Sequence, residues 1–158
     1  CATFNEQKKK NRALYNSMKP LLESWRTLLL EEKQKDTKKV AKVVIYDDEN
    51  KVLFLKRTNY TKKHAGEWDL PGGHGHEGEQ IEKTARRETR EETGLSLGEL
   101  EKVITIENTT YFKTKMHSAE IKLSEEHSEF LFRDVKTIKN PDKYEKVAQK
   151  VVKGLEND

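Results

Sequence analysis

The feature that most limits the fold is a run of glycines followed at a fixed distance by a carboxylate-rich segment. Gly72, Gly73, Gly75 and Gly78 lie close together in the chain. Glycine reaches backbone conformations closed to other residues and lets chain segments approach closely, so this stretch reads as a tight loop. The next fifteen residues, 79 to 93, hold neither Gly nor Pro and predict a helix. Gly94 stands at its C-cap, with Leu95 placed for the accompanying apolar contact. Glu88, Glu91 and Glu92 are spaced i, i+3 and i+4 and share one helix face. Three like charges there repel one another, so something positive must offset them. Carboxylate oxygens suit hard cations such as Mg²⁺ or Mn²⁺.

Around this core the chain punctuates itself clearly. Val40, Val43, Val44 and Ile45 are β-branched, Asp47 to Asn50 is a turn, and Val52 to Leu55 resumes the apolar run. This predicts a two-stranded hairpin. Residues 58 to 67 form a polar loop, and Trp68-Asp69-Leu70 predicts a short strand ending at Pro71. Further strands are expected at 101–107, 111–123 and 129–135. A closing helix is expected from Pro141 to Leu155, with Tyr144, Val147, Val151 and Leu155 on one stripe.

Residues 4 to 35 carry a second apolar stripe at steps of three and four, through Leu14, Met18, Leu21, Leu22, Trp25, Leu28 and Leu29. Pro20 either kinks one helix there or opens a second at its first turn. The stripe has three partners open to it: the following domain, a second copy, or another protein. We therefore divide the chain into a helical extension, 1–36, and a domain, 37–158.

Composition narrows the class. Charged residues make up 37% of the chain and hydrophobic residues 33%, which describes a polar chain still able to bury a core. No run approaches the roughly 18 apolar residues of a membrane span, and no signal peptide is visible. Cys1 is the only cysteine, which excludes a disulfide framework and a thiolate zinc site. A cytoplasmic setting is the simpler expectation. Because Cys1 stands where Met would begin a protein, the sequence reads as a processed product, a fragment or part of something longer. The net charge is +3, yet Glu concentrates between Glu77 and Glu92 while Lys8, Lys9, Lys10 and Arg12 crowd the N-terminus.

The stretch from Gly73 to Leu95 resembles the Nudix box. It has Gly73, five residues, Glu79, seven residues, Arg87-Glu88, two residues, Glu91-Glu92, one residue, Gly94 and the apolar Leu95. Thr89 departs from the pattern, which prefers an apolar residue; its methyl can pack beside Ile81 and Ala85 on the buried face. The resemblance covers residues 38 to 155. It implies an α/β Nudix fold, a mixed β-sheet sandwiched between helices, with the N-terminal helical segment as an addition. It also implies a Mg²⁺-dependent pyrophosphohydrolase, with Mn²⁺ as a substitute. By the same resemblance the carbonyl of Gly72 joins Glu88, Glu91 and Glu92 as metal ligands, and Glu79 pairs with Arg87 to orient them. For the Glu triplet alone a solvated surface helix is the simpler reading; the glycines at fixed distance reverse that order.

Outside the box the residues say less. Glu126, with Glu125 and Glu129 behind it, is the candidate base that Nudix enzymes often take from another loop; an ordinary acidic turn stands equal to it. His74 and His76 form a His-x-His pair, but no third nitrogen or sulfur ligand accompanies them, so they read as exposed loop residues. Arg57, Gly73 and Tyr111 are candidate substrate contacts, as are Lys62 and Lys63. Tyr60, Trp68 and Phe112 are further candidates for stacking on a base, Trp68 more often being core. The expected substrate is a nucleotide-type small molecule: a nucleoside diphosphate linked to another moiety, such as a dinucleoside polyphosphate. The alternatives are a nucleoside triphosphate, an RNA 5′ end, and a Nudix-like binding module without catalysis. A homodimer or partner protein would use the N-terminal helix.

Overall fold

In the computed structural model, residues 2–35, 38–117 and 119–157 are described, and the chain forms two units, Cys1–Lys38 and Lys39–Asp158. The first is a single helix, α1 (Ala2–Lys35), with Pro20 inside it. The helix continues through Pro20, so no second helix opens there. The apolar stripe of α1 is exposed, with Leu21 at 63% and Trp25 at 60%.

The second unit is built on β1 (Val40–Tyr46) and β2 (Val52–Arg57). They meet at the hairpin end, Tyr46↔Val52, where Asp47 Oδ1 accepts from the amides of Glu49 and Lys51, both at 2.9 Å. Beyond the turn the strands part. β2 pairs antiparallel with the short β3 (Trp68–Asp69) and with a strand farther along the chain, His127–Arg133. On its other edge β1 pairs in parallel with Thr109–Lys115, which pairs in turn with Glu101–Ile106. In chain order these three are β4 (Glu101–Ile106), β5 (Thr109–Lys115) and β6 (His127–Arg133). The edge of β1 that β2 leaves is taken by the glycine loop. The amides of Val43 and Ala41 donate to the carbonyls of Pro71 and Gly73, and that of Gly75 donates to Lys39, each at 2.9 Å.

Side chains alternate across this mixed sheet, so each strand feeds two cores. Ala41, Val43, Ile45, Leu53, Leu55 and Phe112 face α2 (Ile81–Thr93), which contributes Ala85. Val44, Val52, Phe54, Leu70 and Tyr111 pack with Val147, Ala148, Val151 and Val152 of α3 (Lys143–Leu155). The sheet is sandwiched between the two helices, as the resemblance implies. Among the described residues no helix is long and apolar enough to cross a membrane.

Several features differ from expectation. The strand expected over 111–123 ends at Lys115. Its continuation turns to the C-terminus of α2, where the amides of Lys122 and Ser124 donate to the carbonyls of Thr93 and Glu92 at 2.9 and 3.0 Å. Helix ends leave such carbonyls without partners, and this segment supplies them. The strand expected from 129 starts at His127 and ends at Arg133, and Val135–Thr137 forms a short 3₁₀ turn instead. The buried face of α2 is also more polar than expected, comprising Thr84, Ala85, Thr89, Glu92 and Thr93. Thr89 is fully buried as expected, yet its Oγ1 has no hydrogen-bond partner.

Candidate active site

The glycine loop is pressed between β1 and α2, and two glycines explain how. Gly72 adopts φ +128°, and a Cβ there would stand 2.1 Å from the carbonyl oxygen of Ala41. No other residue fits that approach. Its amide donates to Glu92 Oε2 at 2.8 Å. A Cβ on Gly73 would stand 2.5 Å from Glu88 Oε2. The loop backbone thus lies directly against two of the three helix carboxylates.

Arg87 provides the positive charge that the Glu face requires. Its Nε and Nη2 donate to Glu79 Oε1 and Oε2 at 2.9 and 3.0 Å, a two-pronged pairing that fixes both side chains. Its Nη1 donates to Glu88 at 2.8 Å and to Glu91 at 3.3 Å, and its Nη2 also donates to the carbonyl of His74 at 3.0 Å. Glu79 accepts further from the amide of His76 and the hydroxyl of Thr84, both at 2.9 Å. These contacts, Arg87 foremost, draw the Glu79 carboxyl down to about 2. Glu92 is the opposite case. It is 7% exposed, and burial pushes its carboxyl up to about 8, opposed by Lys42 and the Gly72 amide.

Lys42, on β1, escaped the sequence reading. It is buried, and its Nζ donates to Asp69 Oδ2 at 2.7 Å, to the carbonyl of Leu70 at 3.1 Å and to that of Gly72 at 3.2 Å. It also lies 5.5 Å from the centroid of the Tyr144 ring. A lysine within a β-branched run was the available signal, since a buried ammonium needs partners. His127 was missed too. Its Nε2 lies 3.9 Å from Glu92 Oε1, and burial holds its pKa below the usual imidazole value.

The other candidates separate. Glu126 is exposed; its carbonyl accepts from the Thr58 amide at 2.9 Å, so its loop is fastened beside the end of β2. Glu125 is exposed, and Glu129 pairs with Lys56 at 3.2 Å. His74 and His76 have exposed side chains and meet the site through their backbone. Lys62 and Lys63 are exposed, and Tyr60 is 96% exposed. Tyr111 and Phe112, candidates for substrate stacking, are each 4% exposed and lie in the two cores. Central-strand burial put them there. Arg57 does reach a cavity of about 410 Å³, together with Trp68, Asp69, Lys143 and Tyr144.

Among the described residues, no group of three or more His, Cys, Asp or Glu side chains is disposed to hold a metal ion. Arg87 engages Glu88 and Glu91, and Lys42 engages the carbonyl of Gly72. The donors themselves are hard oxygens, and the cradle that a Gly73 Cβ would fill opens on Glu88. By chemistry this set fits a hard divalent cation.

The profile of the NUDIX domain matches residues 36–152. The chain belongs to the NUDIX family. Solved structures agree on the fold. A MutT protein from Methanosarcina mazei Go1 superposes with a TM-score of 0.60 at 22% identity, covering 77% of this chain and 96% of the other. An Ap4A hydrolase from C. elegans gives 0.61 at 23%, covering 76% and 100%. The NUDIX domain of Shewanella oneidensis NrtR, solved with ADP ribose, gives 0.61 at 21%, covering 73% and 86%. The chain is thus a Nudix-type pyrophosphohydrolase, of a family that generally requires a divalent metal.

Proposed function

We propose that this Nudix hydrolase cleaves a pyrophosphate bond in a nucleoside diphosphate linked to another moiety, such as a dinucleoside polyphosphate, with Mg²⁺ as cofactor and Mn²⁺ as substitute. The observation that carries the reading is the seating of the Gly72-Gly73 turn on α2, with the Gly72 amide on Glu92 at 2.8 Å. The C. elegans neighbour is an Ap4A hydrolase and the S. oneidensis domain was solved with ADP ribose; both names accord with a nucleotide substrate.

In this reading Glu88, Glu91, Glu92 and the carbonyl of Gly72 would hold the cation. When bound, the cation supplies Lewis acidity that withdraws charge from the pyrophosphate oxygens and activates water. Arg87, braced by Glu79, holds Glu88 and Glu91 toward the loop, so the carboxylates are oriented before substrate arrives. Glu126 accepts the proton of the water as its oxygen bonds to phosphorus in line, while the bridging P–O bond breaks and the other phosphate departs with the bond's electron pair. Arg57 and the Gly73 backbone contact the substrate. Residues 37–158 are the catalytic unit of a cytoplasmic enzyme, and 1–36 is an extension that serves association with a second copy or a partner.

The test is Glu92→Gln, which keeps shape and removes charge. We expect Mg²⁺-dependent phosphate release to fall by at least about a thousandfold, with circular dichroism unchanged. Retained activity refutes the ligand assignment. A panel of dinucleoside polyphosphates, ADP-ribose, sugar nucleotides, nucleoside triphosphates and 5′-triphosphorylated RNA identifies the substrate class. Turnover of triphosphates or RNA alone would overturn the first choice, and no turnover at all would favour a binding module.

A further inference from the structure

The turn from Leu70 to Gly73 presents four carbonyls in a row, and β1 meets each of them. The amides of Val43 and Ala41 donate to Pro71 and Gly73 at 2.9 Å. The alternate carbonyls, of Leu70 and Gly72, go instead to a side chain of the same strand. Lys42 Nζ donates to them at 3.1 and 3.2 Å, and its third hydrogen bond goes to Asp69 Oδ2 at 2.7 Å. An ammonium has three donors and no acceptor, so Lys42 is fully used within residues 69 to 72. The two side chains are 7% and 11% exposed. Burying a pair of charges is a poor way to gain stability, since apolar side chains of similar size commonly do as well or better. Nor does the loop need Lys42 as a tether, because the amides of Ala41, Val43 and Gly75 already tie it to β1. What Lys42 adds is the direction of two carbonyls.

Direction matters most at Gly72. A glycine at φ +128° has little conformational preference of its own, so its peptide groups must be aimed by their partners. Its amide is pinned by Glu92 Oε2 at 2.8 Å and its carbonyl by Lys42 at 3.2 Å. A carbonyl oxygen carries two lone pairs, so accepting from Lys42 leaves one open. A bare ammonium so close would repel a divalent cation drawn to that oxygen. Asp69, at 2.7 Å from the ammonium, offsets its charge.

We propose that Lys42, neutralised by Asp69, is a positioning residue that aims the Gly72 carbonyl at the cation. The proposal rests on the hydrolase reading for the cation, and on the contacts of Lys42 for how its carbonyl ligand is held. Charge and position predict opposite signs here. If charge alone matters, removing an ammonium beside a cation site strengthens cation binding. If Lys42 sets the aim, removing it weakens binding, as the loss of groups that orient metal ligands generally does.

The experiment titrates Mn²⁺ into the full chain without substrate and reads free Mn²⁺ by electron paramagnetic resonance; the site counted is the one that Glu92→Gln removes. Wild type, Lys42→Met and the double variant Lys42→Met with Asp69→Asn are compared, alongside melting temperature and kcat and KM on the best substrate of the panel. Lys42→Met leaves Asp69 buried and unpaired, and should lower the melting temperature by about 10 °C. The double variant removes both charges and should recover most of that loss; it decides the matter if the single variant does not fold. We expect both variants to bind Mn²⁺ about tenfold more weakly than wild type. In the double variant kcat should stay about tenfold down with KM little changed, although the fold is restored. Wild-type Mn²⁺ affinity and kcat in the double variant, or tighter Mn²⁺ binding in Lys42→Met, would overturn the positioning role and leave an ion pair that serves only the fold. If Mn²⁺ binding follows these dependences yet nothing in the panel is hydrolysed, the positioning role stands and the hydrolase reading falls. A wild type with no Mn²⁺ site that Glu92→Gln removes would overturn the cation assignment and this role with it.

Discussion

At the scale of single residues, Gly72 shows how a side chain's absence sets a site. With Cβ space ending 2.1 Å away at the Ala41 carbonyl, we expect Gly72→Ala to cost about 3 kcal/mol in chemical denaturation and to lower activity further by lifting the loop from Glu92. Glu79 gives a pH signature. Its carboxyl sits at about 2 in the folded protein against an ordinary 4.5. A depressed carboxyl contributes stability that is present above the unfolded value and is lost as pH falls through the folded one. Denaturation midpoints of the wild type should therefore decline between pH 4.5 and 2, and Glu79→Gln should be less stable at neutral pH with a flatter profile through that window. An unchanged profile would show that the Arg87 pairing does not bear on folding. The box carboxylates and Arg87 were legible in the sequence because their spacing is a helical period. Lys42 was not, since its three acceptors come from the end of β3 and the loop after it, 27 to 30 residues away.

At the scale of elements, α2 is an amphipathic helix whose inner face is unusually rich in threonine. Thr93 satisfies its hydroxyl on the Thr89 carbonyl at 2.6 Å, whereas the Thr89 hydroxyl is buried without a partner. Thr89→Val keeps the shape and removes that cost. We expect a gain of about 1 kcal/mol, visible as a higher melting temperature with kcat/KM unchanged; a loss would mean that the hydroxyl has a partner in solution. The same helix explains why the strand expected over 111–123 stops early. Residues 116–124 have ordinary strand composition, but the last carbonyls of α2 needed donors, and those amides met the need. Propensity reports what a segment tolerates, and the tertiary partner decides what it becomes.

At the scale of the whole molecule, the buried apolar residues, among those described, fall between Ala41 and Val152. A protein comprising residues 39–158 should therefore melt in one cooperative transition and keep its kcat/KM; loss of either would show that α1 contributes to the fold or the site. Sedimentation of the full chain beside this shorter one tests the proposed role of the extension. Association that disappears with α1 supports it, and identical monomers refute it. The apolar stripe of α1 was plain in the sequence, but its periodicity does not specify a partner.

The Gly73–Leu95 spacing by itself determined the loop, the helix, the face that carries the three glutamates and the family. Local periodicity and glycine geometry are properties of neighbouring residues, so they can be read along the chain. Which aromatic rings face solvent, where the buried lysine finds its acceptors and how the cavity is charged were decided only in three dimensions. Tyr111 was one of several aromatic candidates for stacking on a nucleobase, with Tyr60, Trp68 and Phe112; central-strand packing buries it, whereas Trp68 lines the cavity beside Tyr144, in the sequence one more residue of a helical stripe. Those outcomes depend on contacts between segments far apart in the chain, which no local pattern encodes.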